Sequence, residues 1–321
     1  MTARPTVVIL DDYQNVALDM ADWTAVAERA DITVFNDHIA DPDALVDRLA
    51  GFDIVFVMRE RTPLPRSIIE RLPRLKMIAS TGPFNASIDM AAAVDHGIHV
   101  GTTGGTIAST VELTWALILA ASRNLVGENV ALRDGQWQIG VGRELSGRVL
   151  GVLGLGNIGK RVARIGTAFG MDVVAWSENL TEDAAVEVGA RYVTKEELFS
   201  TSDVLTIHLK LSERSRNLVG EAELAAMKPT ALLVNTSRGP IVDESALVAA
   251  LQSKSLGGAA LDVFATEPLP AGHPLRTLDN VLATPHIGYV ADRPYRIFYR
   301  DAVAAITSWL DKHSSAGEPV H

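Results

Sequence analysis

Three side chains suited to acid-base and carboxylate chemistry occur late in the sequence, in segments that share one pattern. They are Arg238 in "LLVNTSRGPIVDESAL", Glu267 in "GGAALDVFATEP" and His286 in "NVLATPHIGYV". In each segment an apolar, strand-like run passes into a polar loop, and in an open parallel sheet ligands bind outside the carboxyl ends of the strands. The three loops are therefore expected to converge on one crevice. A guanidinium grips a carboxylate through two parallel hydrogen bonds. An imidazole gives or takes a proton near neutral pH, and a carboxylate beside it favours the imidazolium and fixes its tautomer. Each has a plainer reading alone: a surface ion-pair arginine, a turn glutamate before Pro268, a loop histidine after Pro285. Their joint appearance at strand ends gives them weight.

A second constellation precedes them. "VLGVLGLGNIGKRVA" contains Gly154-x-Gly156-x-x-Gly159 between an apolar run and a helical pattern over 160–169. Gly154 permits the tight strand-to-helix turn, Gly156 lets the backbone approach a pyrophosphate, and Gly159 allows close helix-strand packing, with the helix N-terminus facing the negative charge. Such a fingerprint expects an acid at the end of the next strand to bind the adenosine ribose. That strand, in "MDVVAWSENL", ends on Ser177, with Glu178 next to it. Glu178 disfavours a 2′-phosphate and "SENLTED" holds no Arg or Lys, so NAD is favoured over NADP. NADP stays open through a basic residue from elsewhere in the fold.

The elements that must position these groups read as alternating strands and helices. "VVIL", "ITVF", "IVFVM", "MIAS" and "IHVG" give a first parallel α/β domain. Between them "DPDALVDRLAGF" has Asp41 to cap a helix, Pro42 for its first turn and Gly51 to stop it. No glycine fingerprint follows the first strand, which runs into "DDYQN". A long apolar helix is expected over 106–125, buried on several sides at a domain junction or subunit interface, and then a polar arm, "RDGQWQIGVGRELSGR". The rhythm restarts with "VLGVLG", "DVVAWS", "VLTIHL", "ALLVNT", "AALDVF" and "VLATPH". A last helix over 294–312 is expected to pack back on the first domain, which makes the cofactor domain an insertion, and the tail "SSAGEPVH" is expected to be disordered.

Composition narrows the classes. A chain of 321 residues suggests about two domains. With 39 acidic against 29 basic residues the net charge is -10, the opposite of what binding nucleic acid requires. The absence of cysteine excludes disulfides, thiolate nucleophiles and Cys-ligated metals. There is no HExxH and no clustered His/carboxylate spacing, so no metal is expected. The N-terminus lacks a signal-peptide core and no run is long enough for a membrane span, which points to a cytoplasmic protein without a membrane partner.

In order and spacing, "GLGNIG", "MKPTALLVNTSRGPIVDESAL", "GAALDVFATEP" and "TPHIG" resemble the D-isomer-specific 2-hydroxyacid dehydrogenase family over essentially the whole chain. The resemblance implies an α/β fold of two Rossmann-like domains with doubly wound parallel sheets. The NAD(P)-binding domain, 102–289 with a dimerisation helix and arm, is inserted into a flavodoxin-like substrate domain of residues 1–101 and 290–321. It further implies a homodimer that interconverts a 2-keto acid and its D-2-hydroxy acid. By the same resemblance Arg238 binds the substrate, His286 is the acid/base and Glu267 pairs with it. The cofactor would be met by Gly154, Gly156, Gly159, the Asn157 and Ile158 amides, Ser177, Glu178, Thr110, His208, Thr236, Asp262 and Gly288. Backbone amides at Thr81 and Gly82 in "STGPFNASID" would hold the substrate carboxylate, and "VMRERT" resembles another family segment beside the cleft, which would bring Arg59 to the substrate. Two departures from the family pattern are residues added between Asn85 and Asp89, and Lys210 where proline is common.

The other histidines, His38, His96, His99, His273, His313 and His321, read as surface or structural. The competing functions are an NAD(H)-sensing regulator with vestigial turnover and a phosphoglycerate dehydrogenase. Selectivity among keto acids is expected to depend on Met58, Phe84 and Tyr289.

Overall fold

The computed structural model describes residues 4–314. The chain divides into two compact units, one formed by residues up to Thr106 with those from Ala291 onward, the other by Ile107–Val290. The expected disordered tail lies, after Ser314, outside the described residues. Among the described residues no helix is long and apolar enough to cross a membrane.

The first unit is built on a parallel sheet of β1 (Thr6–Ile9), β2 (Asp31–Val34), β3 (Ile54–Val57), β4 (Met77–Ser80) and β5 (His99–Thr102). Its order, β2-β1-β3-β4-β5, is the flavodoxin-like one. β3 and β4 are buried on both faces, which explains their unbroken apolar runs. Asp41 caps the helix Pro42–Leu49 by accepting from the Ala44 amide at 2.8 Å, with Pro42 in the first turn. The closing helix, Asp292–Ser314, belongs to this unit because its aromatic face is core: Tyr299 is fully buried and stacks on Phe56 of β3 at 5.2 Å.

The second unit carries seven parallel strands: β6 (Val149–Leu153), β7 (Asp172–Trp176), β8 (Arg191–Tyr192), β9 (Val204–Ile207), β10 (Leu232–Asn235), β11 (Gly258–Leu261) and β12 (Val281–Ala283). Their order is β12-β11-β10-β9-β6-β7-β8, so the direction of winding switches between β6 and β9. Alternate residues feed two cores. Leu153, Leu205, Ile207 and Leu233 enter one, and Leu150, Val152, Val204 and Val234 the other. The two-residue β8 is too short for its sequence to announce.

The long apolar helix is Ala108–Ser122, and its Val111, Trp115, Leu117 and Ile118 are buried in the second of these cores. Asn124, at φ +47°, then turns the chain into a helix that the sequence reading did not separate, Leu125–Arg133. Unlike its neighbour, this helix leaves Leu125, Val126, Val130 and Leu132 exposed.

Candidate active site

β12, β11 and β10 are consecutive neighbours, and the loops at their carboxyl ends carry His286, Glu267 and Arg238. Glu267 and His286 meet: Nδ1 of His286 lies 2.6 Å from Oε2 of Glu267. The other carboxylate oxygen, Oε1, accepts from the Phe264 amide at 2.9 Å, so the glutamate is fixed at both ends. The rings of Tyr289 and His286 meet in a T-shaped arrangement, with centroids 5.4 Å apart. Arg238 stands at the start of a short turn, Gly239–Ile241, and its Nη1 donates to the Ser237 carbonyl at 2.7 Å. Asn235 braces that loop by donating to the Arg238 carbonyl and accepting from the Ser237 amide, both at 3.0 Å.

The backbone of His286 lies in the left-handed region, at φ +53°. Asp262, fully buried at the end of β11, holds it there. Its Oδ1 accepts from the Thr284 hydroxyl at 2.6 Å and the Ile287 amide at 2.8 Å, and its Oδ2 accepts from the Gly288 amide at 2.8 Å. Burial raises the pKa of this carboxyl above its ordinary value, against the pull of those three hydrogen bonds. A carboxylate has about four acceptor positions, and these bonds fill three of them. Thr110 donates to the Gly288 carbonyl at 3.2 Å, which brings Thr110, Asp262 and Gly288 together. Thr236 is buried, its hydroxyl 2.8 Å from that of Thr114. Thr114 is a contact the sequence reading missed, although it stands one helical turn after Thr110. Burial drives the pKa of His208 down to about 3, so this imidazole is neutral near pH 7; its Nε2 lies 2.9 Å from the Thr206 hydroxyl.

The glycine loop follows β6. Gly154 has φ +100°, and a Cβ there would come within 2.9 Å of the His208 carbonyl. At Gly159 a Cβ would lie 2.1 Å from the Gly154 oxygen. Gly156 differs. It is exposed, it is the N-cap of the helix Asn157–Ala168, and nothing lies within 4 Å of the place a Cβ would take. No side chain caps this helix, so its first amides, at Asn157 and Ile158, face that open space. A cradle of this kind fits a pyrophosphate. Ser177 and the exposed Glu178 follow β7, the next strand in the sheet.

In the first unit the amides of Thr81 and Gly82, expected to meet the substrate carboxylate, both have partners within the unit. The Thr81 amide donates to the Val57 carbonyl at 3.2 Å and the Gly82 amide to the Thr103 hydroxyl at 2.8 Å. Arg59 also stands at this loop, where its Nη1 donates to the Thr81 carbonyl at 3.1 Å and fills the space where a Gly82 Cβ would go. Asn85 latches the loop by donating to the Arg59 carbonyl at 2.6 Å. Among the described residues no group of three or more His, Asp or Glu side chains could hold a metal ion.

Comparison with known proteins matches residues 115–288 to the family model described as D-isomer specific 2-hydroxyacid dehydrogenase, NAD binding domain. The chain belongs to the D-isomer specific 2-hydroxyacid dehydrogenases. Among its relatives in this family, a glyoxylate reductase of Aeropyrum pernix is 38% identical over 294 residues, covering 88% of this chain and 86% of that one. A hydroxypyruvate reductase of Thermotoga maritima is 35% identical over 282 residues, covering 86% and 90%. The crystal structure of a phosphoglycerate oxidoreductase from Vibrio cholerae superposes with a TM-score of 0.91 at 40% identity, covering 97% of this chain and 99% of that one. This dehydrogenase is thus an oxidoreductase of 2-hydroxy and 2-keto acids that uses NAD.

Proposed function

We propose that the enzyme reduces a small 2-keto acid of the glyoxylate and hydroxypyruvate class to the D-2-hydroxy acid, with His286 as the proton donor, Glu267 as its partner and Arg238 as the substrate-binding cation. The observation that carries this reading is the 2.6 Å contact between His286 Nδ1 and Glu267 Oε2. With Nδ1 held by a carboxylate, Nε2 is the nitrogen left to face a carbonyl oxygen and to pass a proton to it. Arg238 grips the substrate carboxylate and steadies the charge that develops on the carbonyl oxygen. Bound NADH supplies the hydride.

The cradle at Gly154, Gly156 and Gly159, with the Asn157 and Ile158 amides, holds the pyrophosphate. Ser177 and Glu178 take the adenosine ribose, and the Glu178 carboxylate repels a 2′-phosphate. Thr110, Thr236, Asp262 and Gly288 face the nicotinamide end, with His208 neutral nearby. Arg59 supplies positive charge at the loop of Thr81 and Gly82 on the substrate side. Residues 1–101 and 290–321 serve the substrate, and 102–289 serve the cofactor and dimerisation.

The test is NADH and NADPH oxidation against glyoxylate, hydroxypyruvate, pyruvate and 3-phosphohydroxypyruvate, in wild type and His286→Ala. Positioned proton transfer is worth about 10² to 10⁴ in rate, so the variant should lose at least a hundredfold in kcat while still binding NADH. Near-full turnover in the variant would remove the assignment of the acid. No turnover of any keto acid by wild type would favour an NAD(H)-sensing regulator, and a kcat/KM tenfold higher with NADPH would overturn the reading of Glu178.

A further inference from the structure

The turn that carries Glu267 is itself held by a second carboxylate. Glu244 opens the helix Glu244–Gln252, and its Oε2 accepts from the Ala265 amide at 2.9 Å. Its other oxygen, Oε1, lies 3.3 Å from Nε2 of His273. Nδ1 of His273 accepts from the Leu275 amide at 3.3 Å, which assigns the ring proton to Nε2, the nitrogen beside Glu244. Ala265 follows Phe264 directly, and the Phe264 amide is the group that fixes Oε1 of Glu267. Two carboxylates therefore hold adjacent amides of one turn: Glu244 accepts from Ala265, and Glu267 accepts from Phe264 and reaches on to His286, while His273 stands 3.3 Å behind Glu244.

We propose that Glu244, oriented by His273, is a positioning residue for the reaction: it fixes the 264–267 turn so that Glu267 presents Oε2 to the imidazole of His286. This rests on the reading of His286 as the proton donor. A carboxylate suits the place because the Ala265 N–H takes one of its oxygens and the polar Nε2–H of His273 stands 3.3 Å from the other. An amide has only one oxygen to offer. Neither residue stood out in the sequence, where Glu244 is the Glu of "VDESAL" and His273 a loop histidine.

The experiment is steady-state kinetics of the full chain with the best keto acid of the panel, together with NADH titration by fluorescence and the solvent deuterium isotope effect on kcat. Glu244→Ala should lower kcat by up to about 100-fold, the cost of a displacement of about 1 Å at a reacting centre. KM for the keto acid and Kd for NADH should stay near wild type, and the solvent isotope effect should rise as proton donation becomes the slow step. Glu244→Gln should lose part of this activity, because its NH2 group must face one of the two donors, Ala265 N–H or His273 Nε2–H. Glu244→Gln/His273→Ala removes one of those donors and should turn over at least as fast as Glu244→Gln alone, whereas damage from independent sites would multiply. Wild-type kcat in Glu244→Ala, a loss confined to KM or Kd, or multiplying effects in the double variant would each overturn the inference. If Glu244→Ala does not fold, the two Gln variants decide the matter. Absence of turnover in wild type would instead overturn the reading of His286, and this inference with it.

Discussion

A histidine held at φ +53° needs something to keep it there, since non-glycine residues adopt this region uncommonly and at a cost of roughly 1 to 3 kcal/mol where they are strained. The anchor is Asp262, which accepts from the two amides that follow His286 and from the Thr284 hydroxyl two residues before it. Replacing it by asparagine preserves shape but puts an NH2 group against at least one of three donors. Such an unsatisfied buried donor costs about 1 to 3 kcal/mol, and here it would release the turn that aims the imidazole. Asp262→Asn is therefore expected to fold, as judged by circular dichroism, and to lose at least tenfold in kcat. If kcat stayed within a factor of about two, Asp262 would have no part in orienting His286.

At the scale of elements, the segment after β10 and the turn after β11 are joined by backbone contact. A Cβ on Gly239 would sit 2.0 Å from the Phe264 carbonyl carbon and 2.6 Å from the Ala265 nitrogen, atoms that cannot move aside as a side chain does. Gly239→Ala should force the Arg238 loop and the Glu267 turn apart. Overpacking of this kind costs about 1 to 3 kcal/mol, so a lower Tm and a lower kcat are expected together; thermal unfolding and kinetics check both, and an unchanged Tm would contradict the contact. Much of this was legible in the sequence. The strand-loop pattern around Arg238, Glu267 and His286 and the three glycines are local signals, because each follows directly from strand period and turn chemistry. What was not legible depends on partners distant in sequence. That the Thr81 and Gly82 amides are spent on Val57 and Thr103, and that Arg59 lies over Gly82, depends on how β3, β4 and the segment after β5 lie side by side. The helix Leu125–Arg133 escaped for another reason: its apolar residues are not on a buried face, so the periodicity that marks a core helix is missing.

That helix bears on the whole molecule. Leu125, Val126, Val130 and Leu132 are exposed on it, and Trp137 and Val141 are exposed on the segment that follows. Glu128 ties the two pieces into one surface by accepting from the Ile139 and Gly140 amides. Contiguous apolar surface beyond a few hundred Å² is uncommon on a monomer, whereas a stable dimer needs about 1,200 to 2,000 Å² of buried surface. The homodimer that we propose for this enzyme would cover it. A net charge of -10 on each chain opposes self-association, so the apolar contact must outweigh a repulsion that salt screens. Sedimentation equilibrium should therefore give twice the chain mass of 34.4 kDa, with the dimer tightening as ionic strength rises from low values. Val130→Glu combined with Leu132→Glu adds two like charges to the patch and should yield a folded monomer. A wild-type protein that sediments at the mass of one chain over the micromolar range, at both low and moderate salt, would show that this surface has another use.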